Sequence, residues 1–151
     1  GRGPVPEQVV PEGGLAAGRW LRAHSGPDDL VATNAHCRWG REEPCDSRFP
    51  WVAALSERRV LVEGWAYTSA NLSRWRPGLP PESLPFWDDE LIRLNDAAFH
   101  APSADVMRRL RDGHGVRWLF AEERPGTTLP EIGDYATPRF RSGGYAVYQI
   151  R

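Results

Sequence analysis

The 151-residue chain contains no lysine, one methionine and two cysteines, and its hydrophobic residues are broken into short runs. Each scarcity narrows the possibilities. No apolar run approaches the ~18 consecutive residues that a membrane-crossing helix needs, so no segment of this sequence reads as a span. Two cysteines are too few for a miniprotein stapled by disulfides. At this length a folded chain typically buries roughly 70% of the surface its unfolded form exposes, enough for a core without metal or staples. The formal net charge is −1 with 26% charged residues, so the chain lacks both a cationic field for nucleic acid and an acidic repulsive tail. All 19 basic residues are arginine, a usage that reflects coding bias and carries no functional weight. The opening Gly1-Arg2-Gly3 has neither methionine nor a signal-like apolar stretch behind it, and reads as the start of a processed or excised piece.

Motifs of common chemistries are also missing. No G-x-G-x-x-G follows an apolar run and no G-x-x-x-x-G-K-[ST] occurs, so dinucleotide and triphosphate cofactors lack their glycine-rich cradle and no cofactor is expected. There is no G-x-S-x-G elbow for a hydrolase nucleophile.

What is present is a pattern of short elements. Residues 1–11, GRGPVPEQVVP, are broken by glycine and proline and read as a linker, leaving 12–151 as a single domain. Over 12–24, Leu15, Ala16, Trp20, Leu21 and Ala23 recur at helical spacing, with Ser25-Gly26-Pro27 as a stop. Leu30-Val31-Ala32-Thr33 suits a buried strand, and Val60-Leu61-Val62, ending at Glu63-Gly64, predicts a second. Between them Pro50 suits a helix start, and Trp51, Val52, Ala54 and Leu55 form a short apolar face ending near Arg58. Asp88 and Asp89 stand where a helix start favours negative charge, ahead of Leu91, Ile92, Leu94 and Ala98. Ser103 is an N-cap for a helix carrying Val106, Met107 and Leu110, which Gly113-His114-Gly115 ends. The clearest strand is VRWLFA, 116–121. Pro138-Arg139-Phe140-Arg141 and 145–150 flank Gly143-Gly144, which tolerates the positive φ of a tight turn. Strands alternating with helices predict an α/β fold: a small three-layer sandwich with a mostly parallel central sheet and a C-terminal antiparallel hairpin.

Two long polar stretches, 34–49 and 65–87, follow the first and second strands and read as loops. Open α/β sheets form their binding crevice at such strand ends. Cys37 and Cys45 close a ring of about nine residues in the first loop, where a disulfide would contribute roughly 2.5 kcal/mol and imply an oxidising compartment. Free thiols are a second reading. A zinc site of His36, Cys37, Cys45 and Asp46 is a third, without the usual C-x-x-C or H-x₃-H spacing, and no metal is expected. Trp39, Trp65, Trp75 and Trp87 fall in or beside the loops, where rings either pin a loop to the sheet or stack on sugars. Asp46, Arg48, Glu63, Trp65, Tyr67 and Trp87 are therefore the candidate ligand-binding residues. Asp88 and Asp89 read as capping residues, His24 as a helix C-terminal residue and His114 as a turn residue, which leaves His36 as the histidine retained for chemistry.

The run RRVLVEGWAYT, 58–68, resembles a stretch near the C-terminus of large actinobacterial polytopic membrane proteins that are similar to GT-C-type glycosyltransferases. Residues 17–34, 86–120 and 145–150 resemble the same tail. The resemblance implies a domain that follows the last transmembrane helix behind a linker like 1–11 and lies at the extracytoplasmic face of the membrane. It supplies no catalytic residue, because transfer in such enzymes uses acidic residues in loops between membrane helices. The implied partners are the transmembrane portion of its own parent chain and a glycan or lipid-linked sugar, with no nucleic acid. The expectation is a non-catalytic accessory domain that contacts glycan or acceptor through loops 34–49 and 65–87. A self-contained soluble ligand-binding module or enzyme, and a purely structural domain that stabilises the parent, are the alternatives.

Overall fold

The computed structural model describes residues 11–36, 51–62, 88–123, 128 and 130–151. Residues 1–10, nearly all of the expected linker, lie outside them, as do 37–49 of the first long loop and all of the second. The described chain is a mixed α/β fold around one five-stranded sheet. In chain order it runs α1 (Glu12–His24), β1 (Leu30–Thr33), α2 (Trp51–Ser56), β2 (Arg59–Val60), α3 (Asp89–His100), α4 (Ala104–Arg108), β3 (Val116–Glu122), β4 (Ala136–Ser142) and β5 (Tyr145–Ile150). A π-helical turn at Arg109–Gly113 prolongs α4, and a 3-10 turn at Pro130–Asp134 leads into β4. No helix among the described residues is long and apolar enough to cross a membrane.

The strands lie in the order β2-β1-β3-β5-β4. β1 is parallel to β2 and to β3, whereas β5 is antiparallel to β3 and to β4. The sheet is therefore mixed, parallel over β2-β1-β3 and antiparallel over β3-β5-β4, where a mostly parallel sheet with a C-terminal antiparallel hairpin is expected. A parallel return needs a crossover of a dozen or more residues, usually helical, and β4 reaches β5 through Gly143-Gly144 alone. Both glycines have positive φ, +50° and +81°, which side chains resist.

Alternate strand residues enter different cores, as the pleat requires. Leu119, Ala121, Ala146 and Tyr148 join Ala98, Phe99, Met107 and Leu110 from α3, α4 and the turn that prolongs α4. Trp118, Phe120, Tyr145 and Val147 join Ala17, Leu21 and Val52 from α1 and α2. Gly18 lets α1 approach α2 closely, since a Cβ there would stand 2.7 Å from the Leu55 Cβ. The C-terminus of α1 is tied down by Arg58, whose guanidinium donates to the Ser25 hydroxyl and to the carbonyls of Arg22 and Ser25.

Element starts follow local chemistry. Asp88 caps α3, its Oδ1 accepting the Leu91 N–H at 3.0 Å, and Ser103 caps α4 by accepting from Val106 at 3.1 Å. Gly115, at φ +78°, ends the helical stretch that α4 begins. β2 covers Arg59–Val60, shorter than the expected 60–62, because Leu61 and Val62 turn to pack with Leu91 and Ile92 of α3. α2 stops at Ser56, short of Arg58, where the Ser56 hydroxyl donates back to the Val52 carbonyl and Glu57 takes a left-handed φ of 52°.

Candidate functional site

Where β1 leaves the sheet, apolar packing gives way to a buried polar network. Leu61 N–H donates to the Val31 carbonyl at 2.8 Å, so residue 31 directs its backbone groups toward β2. Residue 33 directs its groups the same way, because a strand repeats every second residue. β2 no longer runs beside it, and the Asn95 amide of α3 takes the place of a strand. Asn95 Oδ1 accepts the Thr33 N–H at 3.3 Å and Nδ2 donates to the Thr33 carbonyl at 2.9 Å. On the other side the Asn34 side chain extends the pairing with β3, accepting the Glu122 N–H at 2.7 Å and donating to the Glu122 carbonyl at 3.0 Å. The Thr33 hydroxyl donates to the Phe120 carbonyl and accepts from Ala35 N–H.

The network continues outward. Asn95 Nδ2 also donates to Asp96 Oδ1 at 3.0 Å, and the same oxygen lies 2.6 Å from His36 Nε2. With a carboxylate as acceptor, that ring nitrogen carries the proton. The His36 side chain is fully shielded, whereas that of Asp96 is 28% exposed. Three of the four buried polar residues among the described residues, Thr33, Asn34 and Asn95, belong to this network; the fourth is Ser56.

A second polar cluster stands just past the end of β3. Tyr148 Oη donates to Glu123 Oε2 at 2.8 Å, and Arg141 donates to both Tyr148 Oη and Glu123 Oε1 at 2.8 Å. Burial raises the Glu123 carboxyl, but hydrogen bonds from Arg141 and Tyr148 and the Arg141 charge outweigh it and hold it below its usual range. Burial, with Glu123 beside it, pushes the Tyr148 phenol up to about 12. The three groups satisfy one another and lock β3, β4 and β5 together.

Among the residues singled out in the sequence, His36 is in the network, while Asp88 caps α3 with Asp89 in its first turn. His24 ends α1, its Nδ1 2.7 Å from the Trp20 carbonyl and its ring stacked on Trp20. His114 directly follows the π-helical turn. Asp46, Arg48, Glu63, Trp65, Tyr67 and Trp87 lie outside the described residues, as do Cys37 and Cys45. There is no disulfide among the described residues, nor any group of three or more His, Cys, Asp or Glu able to hold a metal. Asn34, Asn95, Asp96 and Glu122 are additions that the linear reading passes over. One signal was available: Asn95 falls four residues after Leu91 and three after Ile92, a polar side chain on the apolar stripe of its helix.

Compared with known proteins, the chain matches no family model, no curated protein and no solved structure.

Proposed function

We propose that the chain is a non-catalytic accessory domain of a polytopic membrane protein similar to GT-C-type glycosyltransferases. It stands at the extracytoplasmic face and contacts a glycan or lipid-linked acceptor at the C-terminal ends of its parallel strands. The observation that carries the binding reading is the parallel pairing of β1 with β2. Because these strands point the same way, the chain leaves β1 after Thr33 and β2 after Val60 at the same end of the sheet. Strand ends of this kind form the crevice of open α/β sheets. Helices packed on two opposite faces of the sheet, in a three-layer sandwich, would leave that end for a ligand. The membrane context is supported by the resemblance of runs 17–34, 58–68, 86–120 and 145–150.

The test is a titration of the chain with neutral oligosaccharides, namely mannohexaose, maltohexaose and chitohexaose, and with a polyprenyl-phosphate sugar in detergent, read by tryptophan fluorescence. Saturable binding that Trp65→Ala abolishes while the thermal midpoint holds is the expected result. Absence of binding to every probe would overturn the binding part of the reading.

A further inference from the structure

We infer that Asn34, Asn95, Asp96 and His36 form a positioning set that fixes the exit of β1 for a ligand held at the strand ends, without touching that ligand. The inference rests on the binding reading above and goes one step past it. Two amides each replace a missing stretch of backbone partner: Asn95 on the β2 side of Thr33 and Asn34 on the β3 side at Glu122. Asp96 then joins His36, the last described residue before 37–50, to α3. Thr33 ends β1 with its backbone groups buried and no strand on the β2 side, and buried polar groups are worth keeping only when every member is satisfied. What they provide is definition: the direction in which the chain leaves the sheet is set before a ligand arrives, so less ordering is charged against binding. The shielding of the His36 ring separates positioning from contact, since a side chain with no exposed surface offers a ligand nothing to touch.

The experiment compares oligosaccharide affinity, by the same fluorescence titration, in the full chain and in His36→Leu and His36→Gln. Glutamine carries an Nε2 donor that can reach Asp96 as the imidazole does; leucine does not. Weakening of about tenfold in His36→Leu and of less than threefold in His36→Gln is expected, with circular dichroism unchanged in both. Affinity in His36→Leu within twofold of the unsubstituted chain would overturn the positioning set and leave the binding reading standing. Equal weakening in both variants would also overturn it, because the Asp96 contact would then be irrelevant. Should the unsubstituted chain bind none of the probes, the binding reading falls and takes this inference with it. If His36→Leu does not fold, Asp96→Ala takes its place: that side chain is partly exposed, so its removal leaves no closed cavity. Tenfold weakening is again expected, and affinity within twofold again overturns the inference.

Discussion

Replacing Asn95 by alanine isolates what the polar network does for the fold. The substitution removes both partners of the Thr33 backbone, whose residue is fully buried, and one donor to Asp96. Each buried polar group left without a partner costs about 1–3 kcal/mol, so two such groups bring the loss to about 4 kcal/mol before any relief by water. Against a total stability of roughly 5–15 kcal/mol that is a large fraction. In a chain of this size each kcal/mol moves the thermal midpoint by about 2–4 °C, and the expected fall is therefore about 8–16 °C. Replacing a solvent-exposed capping asparagine would cost only about 1 kcal/mol, so the two situations are separable by one urea denaturation series. Asn95→Asp sharpens the comparison. It keeps the acceptor for the Thr33 N–H, turns the donor into a second acceptor facing the Thr33 carbonyl and Asp96, and should recover stability as pH is lowered and the new carboxyl gains a proton. A loss below 1 kcal/mol in Asn95→Ala would refute the reasoning, because the end of β1 would then be finding other partners at no cost.

Three further outcomes are expected. At Gly18, helix propensity alone says alanine should stabilise by roughly 0.5–1 kcal/mol, but the added Cβ would meet the Leu55 Cβ at 2.7 Å; overpacking costs about 1–3 kcal/mol, so Gly18→Ala should lower the urea midpoint, and a rise would show that α1 and α2 can separate freely. Asp29 is pulled below its usual value because hydrogen bonds from Trp118 and Gly26 and the charges of Arg117 and Arg58 outweigh its burial, and Glu123 is likewise held below its usual range. Both bind protons more weakly folded than unfolded, so their contribution is present above the ordinary values of 3.8 and 4.5 and is lost as pH falls through the lower folded values. Asp29→Asn should flatten the acid limb of a stability–pH curve, and an unchanged limb would remove Asp29 from that account. Finally, protein purified from an oxidising compartment should resist thiol alkylation under denaturing conditions without reductant and weigh about two hydrogens less than its reduced form, as a Cys37–Cys45 bridge requires; two added alkyl groups would mean free thiols and return the zinc alternative to view.

Local chemistry was the part of the fold most legible in the sequence. The helix over 12–24, the strands over 30–33 and 145–150, and the caps at Asp88 and Ser103 all stand as their spacing and side chains predict. These features depend on neighbours a few residues away. β2 was less legible, because Val60-Leu61-Val62 is equally apolar whether it continues a sheet or turns to meet Leu91 and Ile92. The start of β4 at Ala136 was hidden behind Pro138, which an edge strand tolerates because one side of its backbone needs no partner. In the candidate site, His36 stood out by residue type alone. Its partner did not, since Asp96 lies 60 residues further along and meets it only once α3 packs beside β1. Asn95 showed only as a polar residue on an apolar helix stripe, and Asn34 not at all: an amide's role in place of a strand can be recognised only when the missing strand is known.

The membrane-associated accessory role is the central claim, and the location of the native protein tests it most directly. In cells that produce it, an antibody to residues 88–151 would be used to follow the chain through membrane fractionation and through protease treatment of intact spheroplasts. The account predicts a band far larger than 17.0 kDa in the membrane fraction, with its epitope lost when protease is added outside. A protein of about the present mass in the soluble cytoplasmic fraction, protected from external protease, would contradict it.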